Sequence, residues 1–458
     1  MRHYFQSYLD RYPKQGTLRC SCGGEHALGT KKILLGDGVL EEMPSVFREH
    51  YRKDVKIWIL SDQNTEKAAA EQCKRILSRF RFSSTVLPAV PRPRTSAEII
   101  GCLCRIAGEY RPDLVLAVGG GTISDIAKMV SLNLAVPNWC VLTAPSVDAY
   151  SSGTAALKLK HRHKTEPAQP TEVIFADLGV LEQAPEVLFL SGVGDLLAKY
   201  LSFMDWKISA LITEEHICED TARMCLDSAR QAMNAVKSLS SARRAAVQSL
   251  TDALLLSGLA MQALVSSRPA SSAEHTIAHF WELAHTVGNP DLELHGLLVG
   301  LSCSILLAGY GEFYKNLRNW EYDLDNRLRI LSAEPSWEQT LIPAVEPFRE
   351  QMRDEMGEHL PGTEVYRTRL ENIQKHRGTI IGLSDSLLRE LQEAVEALSE
   401  ISFPFSLSDY RLDVPQALLP MRYIRPLRNR YSSFNLIHEV GAEAQVLEIL
   451  ERRVQSIR

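Results

Sequence analysis

The chain has 458 residues, 45% hydrophobic and 23% charged, with a formal net charge of −5 at pH 7. That is ordinary soluble globular usage, long enough for two or three domains. It excludes the strongly basic character that draws nucleic acid or anionic membrane surfaces. The nine cysteines are an odd, mostly scattered set, so they form no disulfide framework and point to a reducing cytoplasm. The segment MRHYFQSYLDRYPKQG is charged throughout and does not read as a signal peptide. The longest apolar run, LLVGLSCSILLAG (297–309), is too short to span a bilayer and reads as a buried helix.

In chain order, KKILLG (31–36), VKIWILSD (55–62), LVLAVGGG (114–121), WCVLTAPS (139–146) and TEVIFADL (171–178) read as strands. The stretches 65–80 and 95–110 between them have helical spacing. This alternation predicts an α/β domain with a mostly parallel sheet. From Ala184 onward strand signals all but vanish, and 195–213 and 242–267 carry helical periodicity. We therefore expect an α/β domain over 1–183 and an all-helical domain over 184–458, with Pro185 at the break.

VLAVGGGTISDIAK (115–128) runs from a strand through three glycines into a helix. Glycines admit a close-approaching phosphate, and a helix N-terminus offers unpaired N–H groups and the positive end of its dipole. The pattern is not GxGxxG, so a tight turn without ligand remains an alternative. An earlier strand ends on Asp62, whose carboxylate suits ribose hydroxyls and disfavours a 2′-phosphate, favouring NAD over NADP. The loop TAPSVDAYSSG (143–153) also follows a strand end, is rich in hydroxyls and contains Asp148. Alone it reads equally as a serine-rich surface turn.

Four of the 13 histidines fall between 275 and 295. His275 and His279 lie one helical turn apart and share a face, and His295 sits in a loop-like His-Gly pair. Asp195 sits in a Gly-X-Gly-Asp turn. One aspartate and two histidines from separate elements suit a divalent metal with positions open to substrate. His285 matches no partner and reads as a bystander. Cys20, Cys22 and His26 form a Cys-X-Cys-X3-His pattern without a fourth ligand nearby in sequence, and its role stays open. The basic segment 158–170 reads as a hairpin tip.

Taken together, VGGGTISDIAK, TAPSVDAYSSG, GDLLAKY, SRPASSAEHTIAHFWE and ELHG occur in the order seen in sn-glycerol-1-phosphate dehydrogenases. These belong to the dehydroquinate synthase-like and iron-type alcohol dehydrogenase superfamily. The resemblance covers roughly residues 30 to 310, and 422–441 resembles the helical end of bacterial members. It implies a dehydroquinate synthase-like fold: an NAD-binding α/β domain followed by an all-α metal- and substrate-binding domain. It implies Asp195, His275 and His295 as metal ligands, and Asp148 and His279, with Asp195 shared, as substrate-contacting catalytic positions. Cofactor positions implied are Asp62, Gly119, Gly120, Gly121, Thr122, Ile123, Thr143, Ala144, Pro145, Ser146 and Ser152. The reaction implied is reversible reduction of dihydroxyacetone phosphate to sn-glycerol 1-phosphate with NADH or NADPH. The metal implied is zinc in most members, nickel in some bacterial ones, with iron a further alternative. A homodimer acting on a phosphorylated triose, without nucleic acid or membrane, is expected. Two departures stand out. Asp-Gly in the second loop is Asp148-Ala149 here, and the basic hairpin is unusual. Lys199 and Arg268 lie in matching motifs as phosphate-binding candidates or as members of structural ion pairs. A polyol dehydrogenase, a dehydroquinate synthase-like lyase and a catalytically silent binding protein are the competing readings.

Overall fold

A computed structural model describes residues 3–11, 17–51, 54–159, 162–284, 287–356 and 361–458. His285 lies outside the described residues. The chain forms two compact units. The first comprises residues 1–159, 164–196 and 223–267, and the second 160–163, 197–222 and 268–458. Strands give way to helices where the sequence predicts, and no strand follows Asp177 among the described residues. The compact units do not follow that switch, because the segment 223–267 groups with the strands.

The first unit is built on six strands: β1 (Lys32–Gly36), β2 (Lys56–Asp62), β3 (Arg81–Leu87), β4 (Leu114–Gly119), β5 (Asn138–Leu142) and β6 (Thr171–Asp177). They lie in the order β1-β6-β5-β4-β2-β3, and every neighbouring pair is parallel. All residues of β4 and β5 are buried, as expected of strands covered on both faces. β3 is the one sheet strand missing from the sequence reading. It is an edge strand, its sequence RFSSTVL is half polar, and no residue in it is fully buried, so no apolar run marks it. From β2 the chain steps outward to β3 and then crosses to β4 on the other side. The sheet's switch point thus lies between the carboxyl ends of β2 and β4, the place where such sheets take ligands.

Helix α1 (Gly121–Leu134) follows β4 directly. Its Lys128 is fully buried and ion-paired with Asp125 at 3.1 Å. The same ammonium donates to Ser152 Oγ at 3.0 Å and to the carbonyls of Ala149 and Thr154. One charge therefore holds the turn that follows Asp148. The basic segment forms a hairpin, Thr154–Leu159 with Arg162–Pro167, whose residues 160 and 161 lie outside the described set.

Helix α2 (Glu186–Thr213) runs from the first unit into the second, changing unit after Leu196. It is followed by α3 (Glu219–Ser238), α4 (Arg243–Leu264), α5 (Ala273–Leu283), α6 (His295–Leu317) and the long α7 (Thr363–Glu400). Two positions differ from expectation. Asp195 lies inside α2, not in a turn, since Gly192 and Gly194 are helical. A Cβ on Gly192 would come within 2.1 Å of the Pro145 carbonyl oxygen, so glycine serves close packing against the 143–146 loop. His295 is the first residue of α6, not part of a loop. The apolar run 297–309 is the middle of α6. By length and composition α2 and α6 are apolar enough to cross a membrane, but 89% and 78% of their apolar windows are buried inside the protein, which marks core helices.

Replacement of Lys128 by Met leaves Asp125 buried without its ammonium, and a broken buried pair costs about 3–5 kcal/mol. Denaturant unfolding of Lys128→Met is expected to show a loss of that order, and a loss below about 1 kcal/mol contradicts the role assigned to it. Gly258 of α4 allows a second close approach: a Cβ there would meet Ser151 Oγ at 2.1 Å and the Asp148 carbonyl oxygen at 2.5 Å. Gly258→Ala is expected to destabilise by about 1–3 kcal/mol through overpacking, measured the same way.

Candidate functional site

Within the first unit the predicted cofactor residues gather at the switch point. Gly119 and Gly121 permit close packing, because a Cβ on either would meet Ile123 at 2.6 Å or Val147 at 2.5 Å. Gly120 differs: nothing lies within 4 Å of a Cβ built on it. The backbone is therefore open to a ligand at the residue that caps α1, where the helix presents its unpaired N–H groups. Thr143 follows β5, and its N–H donates to the Gly119 carbonyl at 3.4 Å, tying the two loops together. Ala144 and Ser146 are fixed by Tyr150, whose hydroxyl donates to the Ala144 carbonyl at 2.7 Å and lies 3.2 Å from Ser146 Oγ. Pro145 packs against Gly192. Ser152 is buried and bonded to Lys128, so its place here is structural support for the loop. Asp62 ends β2 as expected, but its Oδ1 accepts the backbone N–H groups of Asn64 and Thr65, forming a helix cap.

Asp148 and Asp195 are both buried, 8% and 1% exposed. The Asp148 N–H donates to Asp195 Oδ2 at 3.0 Å, and Ser257 Oγ donates to Asp148 Oδ2 at 2.7 Å. Ser257 has no sequence signal, since it lies in mid-helix on α4. Ala149, in place of the glycine, puts its methyl 3.9 Å from a Cβ built on Gly121, over the start of α1.

In the second unit α5 and α6 bring His275, His279 and His295 together. Ring centroids of His275 and His295 are 5.2 Å apart, and His279 and His295 stack at 4.8 Å. Each outer histidine is held by a carboxylate absent from the sequence reading. His275 Nδ1 is 2.9 Å from Glu274 Oε1, and His295 Nδ1 is 2.9 Å from Glu282 Oε1. With Nδ1–H donating to the carboxylate, each ring turns a basic Nε2 outward, the arrangement that prepares histidine for a metal. The signal for both glutamates was present: Glu274 precedes His275, and Glu282 lies three residues after His279, on the same helix face.

His279 is largely buried, and among the described residues its Nδ1 has no hydrogen-bond partner. The Glu282 carboxylate is 3.9 Å away, beyond hydrogen-bond length. Burial pushes its pKa down to about 3, against the pull of Glu282 and with help from His295 and His275. The ring is thus neutral at neutral pH. His163 of the basic hairpin stacks on it, centroids 3.5 Å apart. His279, Glu282 and His295 also offer a second possible donor group within the same unit.

The loop before α5 is pinned by Asp205. Its carboxylate accepts from Ser272 Oγ at 2.6 Å and from the Ser433 N–H at 2.9 Å. Burial raises the Asp205 pKa to about 6, with the hydroxyl bonds opposing. Arg268 makes a two-pronged pair with Glu215, both contacts 2.8 Å, which is the structural ion pair that its motif left open. Lys199 is fully buried on α2.

Residues 34–185 match the family described as iron-containing alcohol dehydrogenase. The glycerol-1-phosphate dehydrogenase [NAD(P)+] of Bacillus licheniformis is 32% identical over 309 residues, 66% of this chain and 76% of that protein. The enzyme of the same name from Metallosphaera sedula is 30% identical over 63% of this chain and 80% of its own length. Among solved structures, a probable glycerol dehydrogenase from Sinorhizobium meliloti aligns over 94% of this chain and 98% of its own, with a TM-score of 0.57 and 16% identity, a likeness of fold. The parallel sheet with its open glycine turn, the histidines on buried carboxylates and these relatives agree: the chain belongs to the glycerol-1-phosphate dehydrogenase family, within the iron-containing alcohol dehydrogenases.

Proposed function

We propose that the chain interconverts dihydroxyacetone phosphate and sn-glycerol 1-phosphate, using NADH or NADPH and one divalent metal ion held by Asp195, His275 and His295. The observation that carries the metal assignment is the pairing of His275 with Glu274 and His295 with Glu282, which fixes Nδ1 on the carboxylate and so makes Nε2 the ligating nitrogen of each ring. We assign zinc, with nickel and iron as the alternatives that metal analysis separates. A metal bound there supplies Lewis-acid polarisation of the substrate's C2 carbonyl, while the nicotinamide supplies the hydride.

The chain's own residues do the rest. The open backbone at Gly120 and the start of α1 take the cofactor's pyrophosphate, with Gly119, Gly121, Thr122 and Ile123 forming the turn. Thr143, Ala144, Pro145 and Ser146 form the adjoining wall, supported through Ser152. Asp62 faces the adenosine ribose and, as an anion, disfavours a 2′-phosphate, so NADH is the preferred donor. Asp148, held by Ser257, orients a substrate hydroxyl. Neutral His279 hydrogen-bonds a substrate oxygen without adding charge, which suits a group beside a cation. The nine cysteines form no disulfide, in keeping with a reducing cytoplasm. A homodimer is the assembly we expect.

The test is NADH oxidation with dihydroxyacetone phosphate and, separately, with dihydroxyacetone, before and after chelation. Turnover is expected with the phosphorylated ketone only. It should fall about a thousand-fold on metal removal, equivalent to several kcal/mol of transition-state stabilisation, and return with added metal. Equal turnover of the unphosphorylated ketone makes the chain a polyol dehydrogenase instead. Phosphate release without net NADH consumption makes it a lyase.

A further inference from the structure

A second group of metal-ligating side chains stands apart from the dehydrogenase residues. Leu18–Arg19 pairs with Glu25–His26 in an antiparallel hairpin of two residues per strand. So short a hairpin has too little side-chain packing to hold itself together. Its turn is nevertheless shaped around sulfur. Gly23 takes φ +85°, a conformation glycine adopts without strain, and its N–H donates to the Cys20 carbonyl at 3.0 Å. The Gly24 N–H donates to Cys22 Sγ at 3.4 Å. Cys22 Sγ lies 3.3 Å from His26 Nε2. The Sγ atoms of Cys20 and Cys22 and a ring nitrogen of His26 all fall within 4.8 Å of one another. On the far side of the ring His26 Nδ1 is 3.0 Å from the Ala263 carbonyl at the end of α4. Donation there leaves the Nε2 lone pair facing the sulfurs, the tautomer a metal needs.

We propose that Cys20, Cys22 and His26 bind a zinc ion through two sulfurs and one imidazole nitrogen. A zinc ion on three protein ligands takes water in its fourth tetrahedral position. Binding releases two thiol protons to solvent and leaves the site with no net charge. The ion replaces the missing hairpin core and anchors residues 18–26. The site is independent of the proposed reaction, because the dehydrogenase ligands are oxygen and nitrogen atoms only.

Cobalt distinguishes the two sites in the full-length chain. Purified protein stripped of metal and reloaded with Co2+ is expected to show the intense near-ultraviolet sulfur-to-cobalt charge-transfer bands of a thiolate site, alongside about two metal equivalents per chain. Cys20→Ser and Cys22→Ser should each remove those bands and about one equivalent, while the chelator-sensitive dehydrogenase metal remains. His26→Cys should retain the ion as a three-cysteine site, and His26→Ala should not. Cys303→Ser serves as the control that changes nothing. Absence of thiolate bands in the wild-type chain overturns the proposal whether or not any variant folds. A Cys22→Ser chain with unchanged bands does the same. Failure of the dehydrogenase assay leaves these spectra, and so this test, unaffected.

Discussion

The histidine–carboxylate pairs in the second unit are the interaction on which the rest of the account depends. Glu274 and Glu282 are almost wholly buried, and a buried carboxylate costs several kcal/mol unless something compensates it. Each accepts from a histidine Nδ1, and Glu274 Oε1 also accepts the Ser272 N–H at 2.6 Å. A neutral histidine offsets only part of that cost. A divalent cation bound as proposed on the far nitrogens would complete it, because a metal polarises each imidazole and strengthens its bond to the carboxylate. The same pairs fix which nitrogen faces outward, so tautomer, ring orientation and metal affinity follow from one contact. The depressed pKa of His279 belongs to this picture: a third ring packed among these groups stays uncharged.

In the first unit the governing constraint is close approach. Gly119, Gly121, Gly192 and Gly258 each sit where a side chain would strike a neighbour, and each contact holds the 119–152 loops in register. Within the run of three, only Gly120 has open space around it, so its backbone stays accessible while its neighbours serve packing. The buried Lys128 plays the part that a core would play in a larger loop. It gathers two backbone carbonyls, a hydroxyl and a carboxylate around a single charge.

Much of this was legible in the sequence, for identifiable reasons. Strands β1, β2, β4, β5 and β6 are continuous apolar runs, the mark of parallel strands buried on both faces, whereas edge strand β3 is half polar and gave no such mark. His275, His279 and His295 stand out in the sequence because histidines are few and their spacing is local. What the sequence hid is the support around them. Ser257 and Asp205 act across long sequence separations, and no local pattern encodes such a partner. Asp195 read as a turn because two glycines normally break a helix, and only the packing of Gly192 against Pro145 explains why they do not.

The central claim is that His275 carries the metal required for hydride transfer. Bound metal and NADH-linked turnover measured together in His275→Ala and His285→Ala test it most directly. The account predicts that His275→Ala loses the dehydrogenase metal and turnover together, while His285→Ala keeps both. A His275→Ala chain that turns over normally without that metal would contradict it.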